Sequence, residues 1–124
     1  MASGYDFYLR HLRFMARTTA HGDPAVVAMM DRLRLVADGL AANGDRYVVE
    51  GRHLRLTARA LAGLAGFLQQ QILPEVVAAG NPVGERQVRW VIDTSMETMA
   101  ALMIHAETTA DRDDYTVVLP PPPV

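Results

Sequence analysis

Apolar residues recur at helical spacing along most of this 124-residue chain, and clusters of glycine, proline and asparagine divide it into four segments. The dividing clusters are His21-Gly22-Asp23-Pro24, Asn43-Gly44-Asp45 and Gly80-Asn81-Pro82. The chain contains no cysteine, so no disulfide can hold the segments together. A stable fold must therefore bury the apolar faces of several helices against one another.

Helix start and stop signals place the ends of four predicted helices. Serine and aspartate cap a first turn, proline is favoured at the first helical position, and glycine follows the last turn. Asp23 and Pro24 have this arrangement at the start of the second helix. The predicted helices run from Gly4, after the cap Ser3, to Ala20; from Pro24 to Ala42; from the cap Thr57 to a kink or break at Pro74; and from Pro82 to Ala110.

Each predicted helix places its core residues on one face, at ~100° per residue. In the first helix this face comprises Tyr5, Tyr8, Leu9, Leu12, Met15, Ala16 and Thr19. In the fourth helix it comprises Val88, Ile92, Ser95, Met99, Leu102, Met103 and Ala106. Gly63 and Gly66 of the third helix have no side chain, so we expect a neighbouring backbone to approach them closely.

Two segments have a β rather than a helical composition. Residues 46–56 contain β-branched and aromatic residues around a Glu-Gly pair, which predicts a short β-hairpin between helices two and three. Residues 115–124 form a Pro-rich tail that is predicted to be extended. Its first half either docks as a strand or stays free. The predicted fold is mainly α: a single four-helix bundle-like domain over residues 1–114, with the hairpin inserted, followed by the tail.

The composition excludes several classes of chemistry. Without cysteine there is no thiolate nucleophile, and because all 12 basic residues are arginine there is no Schiff-base lysine or phosphate-loop lysine. The spacing of the remaining polar residues predicts no catalytic residue, no metal site and no cofactor. The first residues lack the basic and apolar regions of a secretory signal, and no apolar run is long enough for a membrane span. We expect a cytoplasmic protein that is not an enzyme.

Charge is divided unevenly along the chain. Residues 1–59 contain nine arginines and six acidic residues, whereas residues 60–124 contain three arginines and eight acidic residues. Such asymmetry is typical of a chain with an anionic partner, or of two halves that attract each other within the fold or across a dimer. We favour the second interpretation, because arginines and acids alternate even within the basic half.

Some large apolar side chains lie outside the predicted core faces. Phe7 and Phe14 form a second stripe on the first helix, and Trp90 and Ile104 lie opposite the core stripe of the fourth. Aromatic and aliphatic residues left outside a core are typical of interface anchors. The favoured function is therefore self-association, with an isologous homodimer as its simplest form, and binding of a protein partner as an adaptor or regulatory module.

Two other functions stay open. Met15-Ala16-Arg17, the turn at Gly22-Asp23-Pro24 and the predicted hairpin ending Leu54-Arg55-Leu56-Thr57 resemble parts of the MarR- and PadR-type winged-helix repressors. The resemblance covers only residues 15–61, and polar residues stand where that family packs its turn. It implies a DNA-binding regulator whose contacting residues are Arg32, Arg34, Arg52 and Arg55. The remaining possibility is a small apolar ligand held between helices lined by methionine.

Overall fold

The computed structural model describes residues 4–18 and 23–123, which are mostly helical. The predicted cap Ser3 and the predicted helix end Ala20 lie outside these residues, as do the side chains of Tyr5 and Ala16. None of the described helices is both long and apolar enough to span a bilayer. The elements, in order, are α1 (Gly4–Thr18), α2 (Pro24–Asn43), β1 (Arg46–Val49), a 3-10 turn (Gly51–His53), α3 (Leu54–Phe67), a π-helical segment (Leu68–Ile72), α4 (Leu73–Ala78), α5 (Pro82–Thr109) and β2 (Tyr115–Val118).

The N-terminal ends of α2 and α5 lie where the capping signals in the sequence predict them. The Asp23 carboxylate accepts the Ala25 N–H at 2.9 Å, with Pro24 in the first turn of α2. The Asn81 side chain accepts the Gly84 N–H at 2.9 Å at the start of α5. These contacts satisfy N–H groups that have no partner within the helix. The predicted starts of both helices are confirmed.

Pro74 changes the third helix without ending it. Proline lacks an N–H and its ring clashes with the carbonyl four residues earlier. The structure accommodates this with the π-helical segment Leu68–Ile72, directly before Pro74, and the backbone at both of its ends stays right-handed. Together α3, the π segment and α4 form one continuous rod, so the described part of the chain contains four helical rods.

The hairpin predicted for residues 46–56 is wrong in its second half. Only Arg46–Val49 is a strand; Gly51–His53 forms a 3-10 turn, and α3 already begins at Leu54. Thr57 is therefore buried within α3 instead of capping it. The partner of β1 is the tail strand β2, which pairs antiparallel with Tyr47 opposite Val117 and Val49 opposite Tyr115. β-branched and aromatic composition identified the strand, but it carries no information about which distant segment pairs with it.

Both apolar and polar contacts dock the tail. Val117 and Leu119 are buried in the core next to Tyr47 and Val49, whereas Val118 points outward. The Leu119 N–H donates to the Asp45 carbonyl at 2.8 Å. Polar contacts also hold residues 111–114, which precede β2. The Gly51 N–H donates to Asp114, and Arg55 pairs with Asp111 at 3.0 Å. His105 Nε2–H donates to the carbonyls of Asp113 and Asp114.

The core face of α5 is more polar than the periodicity predicts. Val88, Ile92, Ser95, Leu102 and Ala106 are buried as expected, and Met99 and Met103 pack at its edge. The buried face also includes residues outside the predicted stripe, namely Val91, Thr94 and Thr98. The Tyr8 hydroxyl of α1 reaches this face and forms a hydrogen bond with Ser95 Oγ at 3.0 Å. This bond satisfies two buried polar groups at once.

Close backbone approach occurs at Gly39 of α2 and not at the predicted glycines of α3. A Cβ at Gly39 would lie 2.7 Å from the Tyr47 Cβ, whereas no described atom of another element lies within 4 Å of a Cβ at Gly63 or Gly66. The expectation for Gly63 and Gly66 is therefore wrong, and the glycine that packs tightly is the one facing β1.

We expect Gly39→Ala and Gly63→Ala to have opposite effects on stability. Alanine gains about 1 kcal/mol over glycine within a helix. Gly63→Ala should therefore raise the free energy of unfolding by about that amount. In Gly39→Ala the clash with Tyr47 outweighs the gain, and stability should fall by roughly 1 kcal/mol. Urea unfolding of both variants would test this, and stabilisation by Gly39→Ala would contradict the close packing.

A second pair of variants tests whether the tail is docked. Val117→Ala should lower the free energy of unfolding by about 2 kcal/mol, because it removes two buried methyl groups and leaves a cavity. Val118→Ala is the matched control: the next residue of β2 is 55% exposed, so its truncation should change stability by less than about 0.5 kcal/mol. Equal effects in urea unfolding would show that β2 does not pack as described.

Candidate binding groove

The second apolar stripe of α1 lies beside the end of α3. Phe14 remains 47% exposed, although its ring centroid is 6.2 Å from that of Phe67. Phe7, two helical turns earlier on α1, is half-buried and packs against the core. The structure thus brings two of the four predicted interface residues together and adds an aromatic residue from another helix.

These side chains form a groove of about 580 Å³. Its walls are three phenylalanines and an isoleucine, and its polar residues are two arginines and one histidine. We call it the aromatic groove: Phe7, Arg10, His11, Arg13, Phe14, Phe67 and Ile72. Among the described residues no carboxylate lines the groove, and its two arginines give this lining positive charge. It can therefore accept an apolar group that carries, or lies next to, negative charge.

Arg10 connects the positive charge with the apolar wall. Its guanidinium carbon lies 5.7 Å from the centroid of the Phe7 ring. A cation over an aromatic face is attracted by the ring quadrupole, and this contact holds the arginine at the rim of the groove. The planar guanidinium presents several N–H donors and is suited to a carboxylate or another oxyanion.

The surroundings of His11 favour its neutral form. Its Nδ1–H donates to the Phe7 carbonyl at 2.9 Å, and its ring lies 4.3 Å from the Phe7 ring. Burial lowers the pKa of His11 below its ordinary value of 6.5; the backbone hydrogen bond opposes this shift, and the nearby Arg10 charge adds to it. With Nδ1 protonated, Nε2 of the neutral ring is a hydrogen-bond acceptor.

The lowered pKa of His11 predicts how stability changes in acid. The unfolded chain, with the ordinary pKa of 6.5, binds the proton more readily than the folded protein. The stabilisation is complete above about pH 6.5 and is lost as the pH falls through the folded value. Between about pH 7.5 and pH 5.5, wild type should therefore lose more stability than His11→Gln in urea unfolding.

The comparison of wild type with His11→Gln also controls for the titration of His53. The pKa of His53 is also lowered, mainly by burial and then by the Arg32 charge, but this contribution is common to wild type and His11→Gln. Equal losses of stability in the two proteins would show that His11 is not held neutral by the fold.

The other two predicted interface residues lie away from the groove. Trp90 is half-buried and packs edge-on against Tyr8, with ring centroids 5.8 Å apart. Much of its surface is thus used within the chain, and a role for Trp90 in an interface stays a prediction. Ile104 is 66% exposed on the outer face of α5.

The four arginines of the DNA-binding alternative are not gathered on one element. Arg32 and Arg34 lie on α2, Arg52 in the 3-10 turn and Arg55 at the start of α3. The winged-helix resemblance also depends on a hairpin in residues 46–56, which the structure does not form. Three of these arginines pair with the chain's own carboxylates: Arg34 with Asp31 and Asp38, Arg52 with Glu50, and Arg55 with Asp111.

The described residues offer little for acid–base or metal chemistry. No cluster of three or more histidine, aspartate or glutamate side chains within them could hold a metal ion. Burial raises the pKa of Tyr8 to about 12, against the effect of its hydrogen bond with Ser95, so its hydroxyl stays protonated. Most of the methionines at helical spacing pack in the core or at its edge, namely Met15, Met29, Met30, Met99 and Met103, whereas Met96 is exposed.

Phe67 and Ile72 are groove residues that sequence reasoning missed. They are five residues apart, so an α-helix would place them roughly 140° apart around its axis. The π segment brings residues five apart close to one another, because its hydrogen bonds join residues i and i+5. The signal for this arrangement is Pro74, whose effect on the preceding turn was expected only as a kink or break.

Comparisons of this chain with protein-family models, curated proteins and solved structures found no match. A functional proposal therefore depends on the chemistry of the aromatic groove and of the surfaces around it.

Proposed function

We propose that this protein is a small, non-enzymatic binding module that acts by self-association and protein-partner binding through the aromatic groove. The observation that carries the proposal is the cluster of exposed Phe14 with the partly buried Phe67 and Ile72 beside Arg10 and Arg13. Aromatic residues and arginine are the types enriched where protein interfaces derive most of their binding energy. The proposal retains the four-helix-bundle arrangement and the cytoplasmic location that the sequence predicts.

The spacing of the groove residues on α1 favours a helix as the bound element. Phe7, Arg10, His11 and Phe14 occupy positions i, i+3, i+4 and i+7. Residues with this spacing form one continuous stripe along a helix, the arrangement by which two helices pack side by side. Because Phe67 and Ile72 form the opposite wall, a bound helix would contact both α1 and the π segment.

A small amphiphilic ligand is the second candidate occupant. The volume of the groove, about 580 Å³, falls within the range of roughly 300–1,000 Å³ that is typical of small-molecule sites. Such a ligand would lie in a groove lined by phenylalanine, and not between helices lined by methionine as the sequence predicts. Such a ligand would compete with self-association for the same surface.

Self-association through the groove predicts a specific effect of Phe14→Ala. Wild type should form dimers whose fraction rises with protein concentration, and Phe14→Ala should weaken the dimer by at least about fivefold, since truncating an interface anchor costs ~1 kcal/mol or more. Sedimentation equilibrium across a wide concentration range measures both. Phe14 is 47% exposed in the monomer, so its truncation should lower the unfolding midpoint much less than truncation of a core residue, and the variant should stay folded.

Val83→Ala is the matched control for this experiment. Val83 is an exposed apolar residue at the start of α5 and does not line the groove. Its truncation should leave the dimer unchanged. A wild-type chain that is monomeric at every concentration would contradict self-association, and equal weakening by both variants would contradict the groove as its site.

A further inference from the structure

The outer face of α5 carries carboxylates, which the described lining of the aromatic groove lacks. An apolar line runs along it through Met96, Ala100 and Ile104, each four residues after the last, so they lie above one another on the exposed side of the helix. Three carboxylates share the same face. We call this surface the acidic ridge: Asp93, Met96, Glu97, Ala100, Ile104 and Glu107.

We propose that the aromatic groove of one protomer binds the acidic ridge of a second copy of this chain. The proposal rests on the proposed self-association and names the surface that meets the groove. Ile104 and Met96 would lie against the phenylalanines. The ridge carboxylates would face the guanidinium groups of Arg10 and Arg13.

Charge complementarity carries the assignment. Residues 6–14 contain two arginines and one acidic residue, Asp6, whereas residues 90–110 contain three acidic residues and no arginine. Of the ridge carboxylates, none takes part in an ion pair among the described residues. Each ridge thus presents a net negative charge, and Arg89, which pairs with Glu85, lies beside Asp93 at one end of it. The division of charge between the two halves of the sequence is explained if the halves meet across a dimer.

The acidic ridge is longer than the aromatic groove. Asp93 to Glu107 spans roughly 21 Å along α5 at ~1.5 Å per residue, and Phe7 to Phe14 spans roughly 10 Å along α1. The ridge can therefore fill the groove along its whole length. A two-fold dimer that places each groove on the ridge of the other protomer would form this contact twice and leave no groove or ridge open.

The same charges disfavour the simplest alternative, in which two grooves face each other. That arrangement would bring Arg10 and Arg13 of both protomers together, and like charges across an interface oppose binding. It would also leave both acidic ridges in solvent. Groove against ridge brings together opposite charges at both contacts.

Charge reversal tests this pairing directly. The groove-reversed variant is Arg10→Glu with Arg13→Glu, and the ridge-reversed variant is Asp93→Arg with Glu97→Arg. Either variant alone would face like charges at both contacts, so its dimer should be weaker than wild type by roughly a hundredfold. An equimolar mixture restores opposite charges at both contacts and should dimerise about as well as wild type. Sedimentation equilibrium measures all three samples.

The controls keep failure to fold apart from failure to bind. All four substituted side chains are exposed, so each variant should retain the circular dichroism spectrum and melting temperature of wild type. Asp113→Arg introduces a reversed charge outside the ridge and should leave the dimer unchanged. Added salt should weaken the wild-type dimer and relieve the defects of the reversed variants, because it screens exposed charges.

The outcomes separate this inference from the function on which it rests. A wild-type chain that stays monomeric overturns self-association itself. A wild-type dimer that the ridge-reversed variant matches overturns the ridge as the occupant and leaves another mode of self-association. Two weakened variants whose mixture does not recover likewise overturn the pairing of these charges.

Discussion

The hydrogen bond between Tyr8 and Ser95 fixes how α1 is turned on the rest of the molecule. The Tyr8 side chain is fully buried, and its hydroxyl reaches Ser95 of α5 at 3.0 Å while Trp90 packs against its ring. Its hydroxyl has no access to water, so breaking this bond would leave two polar groups buried and unpaired. With Tyr8 and Leu12 held inside, the neighbouring stripe of Phe7, His11 and Phe14 must lie beside the end of α3. The groove thus follows from how α1 is anchored.

Local sequence signals were sufficient for most of the helical architecture and for none of the long-range pairing. The caps Asp23 and Asn81 act on N–H groups two or three residues away, so their effect can be deduced from neighbouring residues alone. β1 lies in a segment of recognisable composition, but its partner β2 comes from a distant part of the chain. The side-chain pattern of a strand defines which face is buried, and many strands can satisfy it.

Sequence signals likewise identified only some of the residues of the aromatic groove. Phe7 and Phe14 could be found because they break the single apolar stripe expected of a surface helix. Phe67 and Ile72 could not, since the calculation of helical faces assumes one geometry along the whole segment and the π segment changes it. The proline that marks the change is visible in the sequence, yet the register shift it causes depends on how α3 and α5 pack. Half of the apolar wall was therefore accessible to sequence reasoning.

The pairing of β1 with β2 also has a consequence for biosynthesis. A ribosome completes Arg46–Val49 well before it reaches Tyr115–Val118, so β1 is made while its partner strand does not yet exist. During that interval Tyr47 and Val49 lack the strand that covers them, and the unpaired backbone of β1 is open to any extended peptide nearby. The nascent chain is therefore most vulnerable to misassociation just before β2 is made, and chaperone contacts would be most useful at that stage.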